Sequence, residues 1–329
     1  IYMEQSAVRD GVTAEEVKGI LLGMASGQET LLGYFRRFIR NFEKRVGINR
    51  TVGSLRAYSN AYSHIERFLQ AQYKLSDIPF SALDRSFIDK YDLYLRTERN
   101  LAPGTIINLT VQLKTIVGEA IADGIITASP FMGYEPVRPK HVQKYLTAEE
   151  LHRIMTIPLH RQTLYHVRDM FLFSCFTGIP YGDMRLLTKD NLCLAEDGIW
   201  WIKSARQKTK IEFEIPLLDL PLQILKKYSD TAPGDKLLPM YCNSTLNLYL
   251  KEIARICHID RPLVFHAGRH TYATEITLSH GVPLETVSRM LGHSQIETTQ
   301  IYAKVTDEKI DADTKALNRK ISERFSVVI

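Results

Sequence analysis

Three prolines, Pro130, Pro136 and Pro139, fall within ten residues near the middle of this chain. Proline has no backbone N–H and forces the residue before it toward extended backbone, so neither a helix nor a central strand runs through such a stretch. The string Pro130-Phe131-Met132-Gly133-Tyr134-Glu135-Pro136-Val137-Arg138-Pro139-Lys140 therefore reads as a linker. The residue patterns on its two sides differ. They predict one domain over 31–130, a linker over 131–146 and a second domain over 147–329. A length of 329 residues suits two domains.

The first part reads as a small helical bundle. From Leu31 to Arg45, the apolar residues Leu31, Phe35, Phe38, Ile39 and Phe42 recur at three- and four-residue steps and make one stripe. Arg36, Arg37, Arg40 and Lys44 lie on the remaining face. Such a face is by itself an ordinary solvated surface. Further helical patterns run from about Gly53 to Tyr73, over Asp84–Arg96, and from Pro103 through Ala120.

The second part mixes elements. Thr147-Ala148-Glu149-Glu150 has the spacing of a capping box, which starts a helix there. Residues 165–177 read as a buried helix. Ile199–Ile202 and Glu212–Leu217 read as strands around a polar, basic turn over Lys203–Ile211, and helices return after about Leu246. The whole is mainly α with a small β-sheet.

Composition excludes several classes. The balance of 45% hydrophobic and 24% charged residues is that of a globular chain and not of a disordered one. The four cysteines form no CxxC pair, so neither a disulfide scaffold nor a thiol-zinc site is expected, and a reducing cytosol fits. No apolar run reaches about 18 residues and no signal peptide is visible, so no membrane partner is expected. No GxGxxG supports a nucleotide cofactor. The chain opens on Ile1, as a piece of a longer protein would. The net charge of +5 is mild, but residues 31–140 carry sixteen basic and ten acidic groups, so the excess sits where a polyanion could be gripped.

Three strings in the last quarter carry the chemistry: Val264-Phe265-His266-Ala267-Gly268-Arg269-His270-Thr271, Met290-Leu291-Gly292-His293 and Thr298-Thr299-Gln300-Ile301-Tyr302. The order H-x-x-R, then L-G-H, then a tyrosine nine residues after the histidine resembles the active-site signature of the tyrosine recombinases, the phage-integrase family. The resemblance extends from about Leu31 to the C-terminus. It implies a SAM-like helical core-binding domain followed by a mixed α/β catalytic domain.

The residue types suit strand transfer. Breaking a phosphodiester without metal or cofactor needs a side-chain nucleophile that can later leave, and a phenol with pKa about 10 does both. Charge on the non-bridging oxygens needs Arg and His donors, and the departing sugar oxygen needs a general acid. The resemblance makes Tyr302 the nucleophile and Arg269 the phosphate clamp. His266 and His293 become phosphate donors that help proton movement. The alternative for His266 and His270, a zinc pair at i and i+4, lacks the glutamate of H-E-x-x-H and any thiol ligand. His270 is expected to be structural. Lys208, eight residues before Pro216, matches the family's hairpin lysine and is preferred to Lys210 as the acid.

One position departs from the pattern. Where the family has T-G-x-R-x-x-E, this chain has Thr177-Gly178-Ile179-Pro180-Tyr181-Gly182-Asp183. Pro180 replaces the first arginine, and Asp183 fills the acidic position. The run resembles the integrases of conjugative transposons that lack this arginine. Arg168, twelve residues upstream, is the expected stand-in and Arg185 its rival. The alternative for Arg168 is an ion pair with Asp169.

The expected activity is site-specific recombination through a 3′-phosphotyrosyl intermediate and a Holliday junction, moving a mobile element, with no cofactor. The expected partners are double-stranded DNA, contacted by Arg36, Arg37, Arg40, Lys44 and Lys114, and three further copies of the chain in a homotetramer on DNA. A DNA-bending accessory protein is a further candidate, and the compartment is the bacterial cytoplasm at the nucleoid. Off DNA the chain is expected as a monomer or dimer. A type IB topoisomerase and a non-catalytic DNA-binding relative are the alternatives. Residues 1–30 suggest the remnant of an arm-binding domain. The tail over Asp307–Phe325 suggests either docking on a neighbouring protomer or folding on its own domain.

Overall fold

A computed structural model of the chain describes residues 28–137 and 144–302, together with Lys18, Thr314, Lys315, residues 317–319 and Ile321. The suggested arm-domain remnant and most of the C-terminal tail thus lie outside the described residues. Two compact units are present, Ile1–His141 and Val142–Ile329.

The first unit contains α1 (Leu31–Glu43), α2 (Val52–Phe68), α3 (Arg85–Thr97) and α4 (Pro103–Ala122). The predicted second helix is shorter than the sequence pattern, because Leu69–Tyr73 widens into a π turn before Lys74 enters the left-handed region at φ 58°. Local chemistry fixes the helix starts. Thr51 Oγ1 accepts from Ser54 N, Asp84 accepts from Phe87 N, and Pro103 occupies the first turn of α4. The start of α1 is capped from far away: Asp77 accepts from Leu32 N at 2.8 Å and Gly33 N at 3.0 Å. The apolar stripe of α1 packs on α2, and Phe35, Phe68, Tyr91 and Leu113 are fully enclosed.

The first residues of the proline string belong to this bundle. Phe131 is buried against it, Tyr134 Oη donates to Asp92 at 2.7 Å, and Arg85 Nη1 donates to the Met132 carbonyl at 3.0 Å. Aromatic cover for the bundle thus takes up residues read from sequence as linker. Leu146, read as its last residue, is buried in the second unit and donates its N–H to Thr271 Oγ1.

The second unit is built around α6 (Gln162–Thr177), which is apolar on nearly all sides. It is surrounded by α5 (Ala148–Thr156), α8 (Asp219–Tyr228), α9 (Asn243–Ile256) and α10 (Ala267–Thr271). The capping box at Thr147 and Glu150 is formed. Enclosing Phe171 and Phe173 stabilises the unit by about 2–3 kcal/mol each. α7 (Tyr181–Met184) follows α6 across Gly178. The sheet is antiparallel in the order β1 (Leu192–Leu194), β2 (Trp200–Ala205), β3 (Glu212–Pro216). The hairpin was legible in the sequence. β1 was not, because three residues give no usable alternation. After α10 the chain passes through a π turn, Tyr272–Thr277, to α11 (Leu284–Leu291) and α12 (Glu297–Gln300). Among the described residues no helix is long and apolar enough to cross a membrane.

Candidate active site

Arg269 is the hub of a cluster assembled from five separate pieces of the second unit. It lies on α10, almost wholly enclosed, and donates from Nη1 to the Gly178 carbonyl at 2.9 Å and from Nη2 to the Leu291 carbonyl at 2.7 Å. Both acceptors depend on glycine turns. Gly178 ends α6 at φ 69°, and Gly292 ends α11 at φ 63°. Burial first, then Arg206, lowers the Arg269 pKa to about 10, so the guanidinium remains charged at neutral pH.

Nη2 also reaches His293 Nε2 at 2.8 Å, and His293 Nδ1 lies 2.7 Å from Thr299 Oγ1. A guanidinium has no acceptor, so Nε2 must accept and Nδ1 carries the proton that is donated to Thr299. Burial, then Arg269 and Arg206, hold the His293 pKa down to about 4, in keeping with this neutral tautomer. His266 differs. It sits exposed at the N-terminus of α10, and its ring forms no hydrogen bond among the described residues. Desolvation and the nearby cations Arg269, Arg206 and Lys144 lower its pKa.

Tyr302 follows α12 and is 8% exposed. Its ring lies 5.2 Å from that of His270 and 6.5 Å from that of His293. Burial raises the phenol pKa, while the charge of Arg269 pulls it back. His293 thus links the two: it stacks on the tyrosine and bonds the buried arginine, which lies 33 residues before that tyrosine in the sequence.

A second guanidinium enters from the β2–β3 hairpin. Arg206 Nη1 donates to the same Leu291 carbonyl at 3.0 Å, and its Nε lies 2.6 Å from Asp183 Oδ2 in an ion pair. Asp183 Oδ1 accepts from Gln207 N at 2.9 Å, so one carboxylate secures both the arginine and the root of the hairpin loop. Two cations, two imidazoles and a phenol thus converge, the parts needed to bind a phosphodiester and attack it.

Residues 144–309 match the sequence profile of the phage integrase family, and residues 30–136 match that of the phage integrase SAM-like domain. This chain belongs to the phage integrase family. It is a tyrosine recombinase, an enzyme of DNA strand transfer. It is 25% identical over 273 residues to the tyrosine recombinase XerD of Listeria monocytogenes serovar 1/2a, covering 78% of this chain and 89% of that protein. Its fold is similar to that of the Tn1549 transposon integrase in complex with transposon right end DNA, with TM-score 0.69 and 18% identity over 88% of this chain and 99% of that one. A lambda integrase dimer bound to a COC′ core site gives TM-score 0.68 and 18% identity, over 85% and 100%.

Within this integrase, the structure brings Tyr302, Arg269, His293 and Asp183 together, with His266 at the edge. It does not bring Arg168 there. Arg168 Nη1 donates to the Ile157 carbonyl at 3.2 Å, its guanidinium lies 4.7 Å from the centroid of the Tyr165 ring, and Nε is 3.9 Å from Asp169 Oδ1. The helix decides this. Thr177, at the end of α6 toward Gly178, follows Arg168 by nine residues, which at 3.6 per turn is roughly 180° around the axis. Arg185 is exposed at the end of α7.

Sequence reasoning did not single out Arg206, which the structure brings to Asp183 and the Leu291 carbonyl. Its signal was available: it stands two residues before Lys208, directly after β2 where the chain enters the hairpin turn. Lys208 is exposed in that loop, and Lys210 adopts φ 61° within the turn.

In the first unit Arg36, Arg40 and Lys44 are exposed at four-residue spacing on α1, and Lys114 is exposed on α4. Arg36 Nη2 donates to Tyr62 Oη at 2.6 Å. Arg37 is exposed but pairs with Glu29 at 2.9 Å.

Proposed function

We propose that this integrase cleaves and rejoins duplex DNA at defined sites, with Tyr302 as the nucleophile. The observation that carries the reading is the Tyr302 ring stacked at 6.5 Å on that of His293, which Arg269 holds at 2.8 Å, with Arg206 on the same Leu291 carbonyl as Arg269. The phenol oxygen bonds to phosphorus as the phosphorus–O5′ bond breaks. The phenolic proton passes to His266, whose ring nitrogens are free of partners among the described residues. The departing 5′ oxygen takes its proton from Lys208, which a flexible loop can deliver when DNA is bound. Arg269 and Arg206 hold the charge that builds on the non-bridging oxygens. The product is a 3′-phosphotyrosyl bond and a free 5′-hydroxyl.

A 5′-hydroxyl from a second duplex reverses these steps. The phosphotyrosine retains the ester bond energy, so the exchange needs no ATP. Two such exchanges pass through a four-way junction held by four copies of the chain, in a bacterial cytoplasm and for the movement of a mobile element. An accessory DNA-bending protein would help to bring the sites together. Arg36, Arg40, Lys44 and Lys114 bind the duplex through its phosphates, with Arg37 contributing less while paired to Glu29. The DNA complexes of the Tn1549 and lambda integrases support this choice of partner. The non-catalytic reading rested on Pro180, and Arg206 supplies the cation that proline lacks.

The test is covalent trapping on nicked suicide duplexes carrying a panel of candidate sites. A denaturant-stable adduct with the wild type, absent from Tyr302→Phe, is expected. No adduct on any site, or an adduct that survives in the Phe variant, would defeat the reading.

A further inference from the structure

Among the described residues, short and uncapped backbone structure supports Tyr302. It follows a four-residue helix, α12, whose first turn has no side-chain cap, and its N–H donates to the Thr299 carbonyl at 3.0 Å, its one backbone acceptor among the described residues. A phenol on such a support must be oriented by its neighbours. His270 is the nearest ring, at 5.2 Å and 64°, an edge-to-face contact. His270 also meets His266 at 4.9 Å and 85°, one helical turn earlier on α10. The rings of His266, His270, Tyr302 and His293 thus form a continuous series of contacts, anchored through His293 on Arg269.

We propose that His270 is a positioning residue for the nucleophile: its ring packs against Tyr302 and keeps the phenol in place beside the His293–Arg269 pair. The inference rests on Tyr302 being the nucleophile. It replaces the expectation that His270 is only structural, because its contacts are with the reacting side chain and with a phosphate-binding candidate. A role in proton transfer is disfavoured. Burial, then His266, Lys144 and Arg269, hold its pKa down to about 4, so at neutral pH it has no proton to give as a cation. What the ring offers is shape and a quadrupole, and both survive replacement by phenylalanine.

The experiment compares wild type, His270→Ala and His270→Phe in single-turnover adduct formation, with site binding and melting temperature measured alongside. A second substrate carries sulfur in place of the bridging 5′ oxygen, a leaving group that needs no acid. For His270→Ala we expect binding nearly unchanged and an adduct rate lower by roughly 10- to 100-fold, the scale of a displaced reacting group. His270→Phe should recover to within about fivefold of wild type. The Ala deficit should persist on the thiolate substrate. Wild-type speed in His270→Ala, or a Phe variant as slow as Ala, would overturn the proposal. So would a deficit that vanishes with the sulfur leaving group, since that would make His270 a proton donor. If the Ala variant does not fold, the Phe variant decides: a rate near wild type supports positioning, and a rate lower by more than about tenfold overturns it. Absence of adduct with the wild type would instead strike the Tyr302 reading.

Discussion

Arg206 and Asp183 form an ion pair, Nε to Oδ2 at 2.6 Å, with side chains only 15% and 6% exposed. The pair ties the β2–β3 hairpin to the turn in which Pro180 stands at the position of the family's first arginine. Because Asp183 also accepts from Gln207 N, it fixes the base of the loop that bears Lys208. In the proposed mechanism the second cation sits on the hairpin, and the carboxylate remains at Asp183.

Arg206→Ala is expected to slow adduct formation by about 100-fold or more, the usual effect of losing one charge-stabilising donor. Arg206→Lys should recover part of the rate, since it restores a charge without the planar fork. Single-turnover trapping measures both. An Ala variant as fast as wild type would remove Arg206 from the site.

Arg168→Ala is expected to leave the adduct rate per folded molecule unchanged. Its side chain is 14% exposed and serves the Ile157 carbonyl and the Tyr165 ring, so stability should fall by about 1 kcal/mol. Denaturant melts read the loss. A large drop in cleavage with intact site binding would restore Arg168 as a catalytic candidate.

Gly178→Ala should be severely destabilising. At φ 69°, an added Cβ would meet the Tyr272 ring at 2.5 Å and the Leu291 side chain at 2.7 Å. Left-handed strain and overpacking together amount to roughly 2–5 kcal/mol. The same shift would displace the carbonyl that holds Arg269. A melting temperature within a degree or two of wild type would contradict this account.

Stability should fall as pH drops from 6.5 toward 4. His293 and His270 are both held down to about 4, by burial above all. In the unfolded chain they titrate near 6.5, so their contribution is complete above that pH and is lost on acidification as the unfolded chain gains protons. The slope is at most about 1.4 kcal/mol per pH unit for each histidine. Melts at pH 7, 6 and 5 should show the decline, and His293→Gln should flatten it. An unchanged slope in that variant would sink the assignment.

Arg40→Ala and Lys44→Ala should each weaken DNA binding uniformly across sequences and reduce the logarithmic salt slope by about 1. Arg37→Ala should do less, since Glu29 already engages it. Titrations at several salt concentrations separate the cases. Equal slopes for all variants would place the duplex elsewhere.

The helices and the hairpin were legible because their signals are local: the stripe of α1, the capping box at Thr147, and the alternation in β3. Tyr302, Arg269, His266 and His293 were singled out because the order of their short strings resembles the tyrosine-recombinase signature. The starts and ends that depend on distant groups were not. Asp77 caps α1 across more than forty residues, and Phe131 joins the bundle because it finds an apolar surface there.

The sequence by itself determined which chemical groups are available and in what order: a phenol, two histidines, an arginine, and a proline where a second arginine was wanted. It offered Arg168 and Arg185 for the missing charge and could not show which arginine lies near the cluster. That choice depends on direction, since Arg168 points away from the cluster around the α6 axis while the hairpin carries Arg206 onto the Leu291 carbonyl. A side chain's heading is fixed by how its helix or strand packs, and packing is a property of the whole fold.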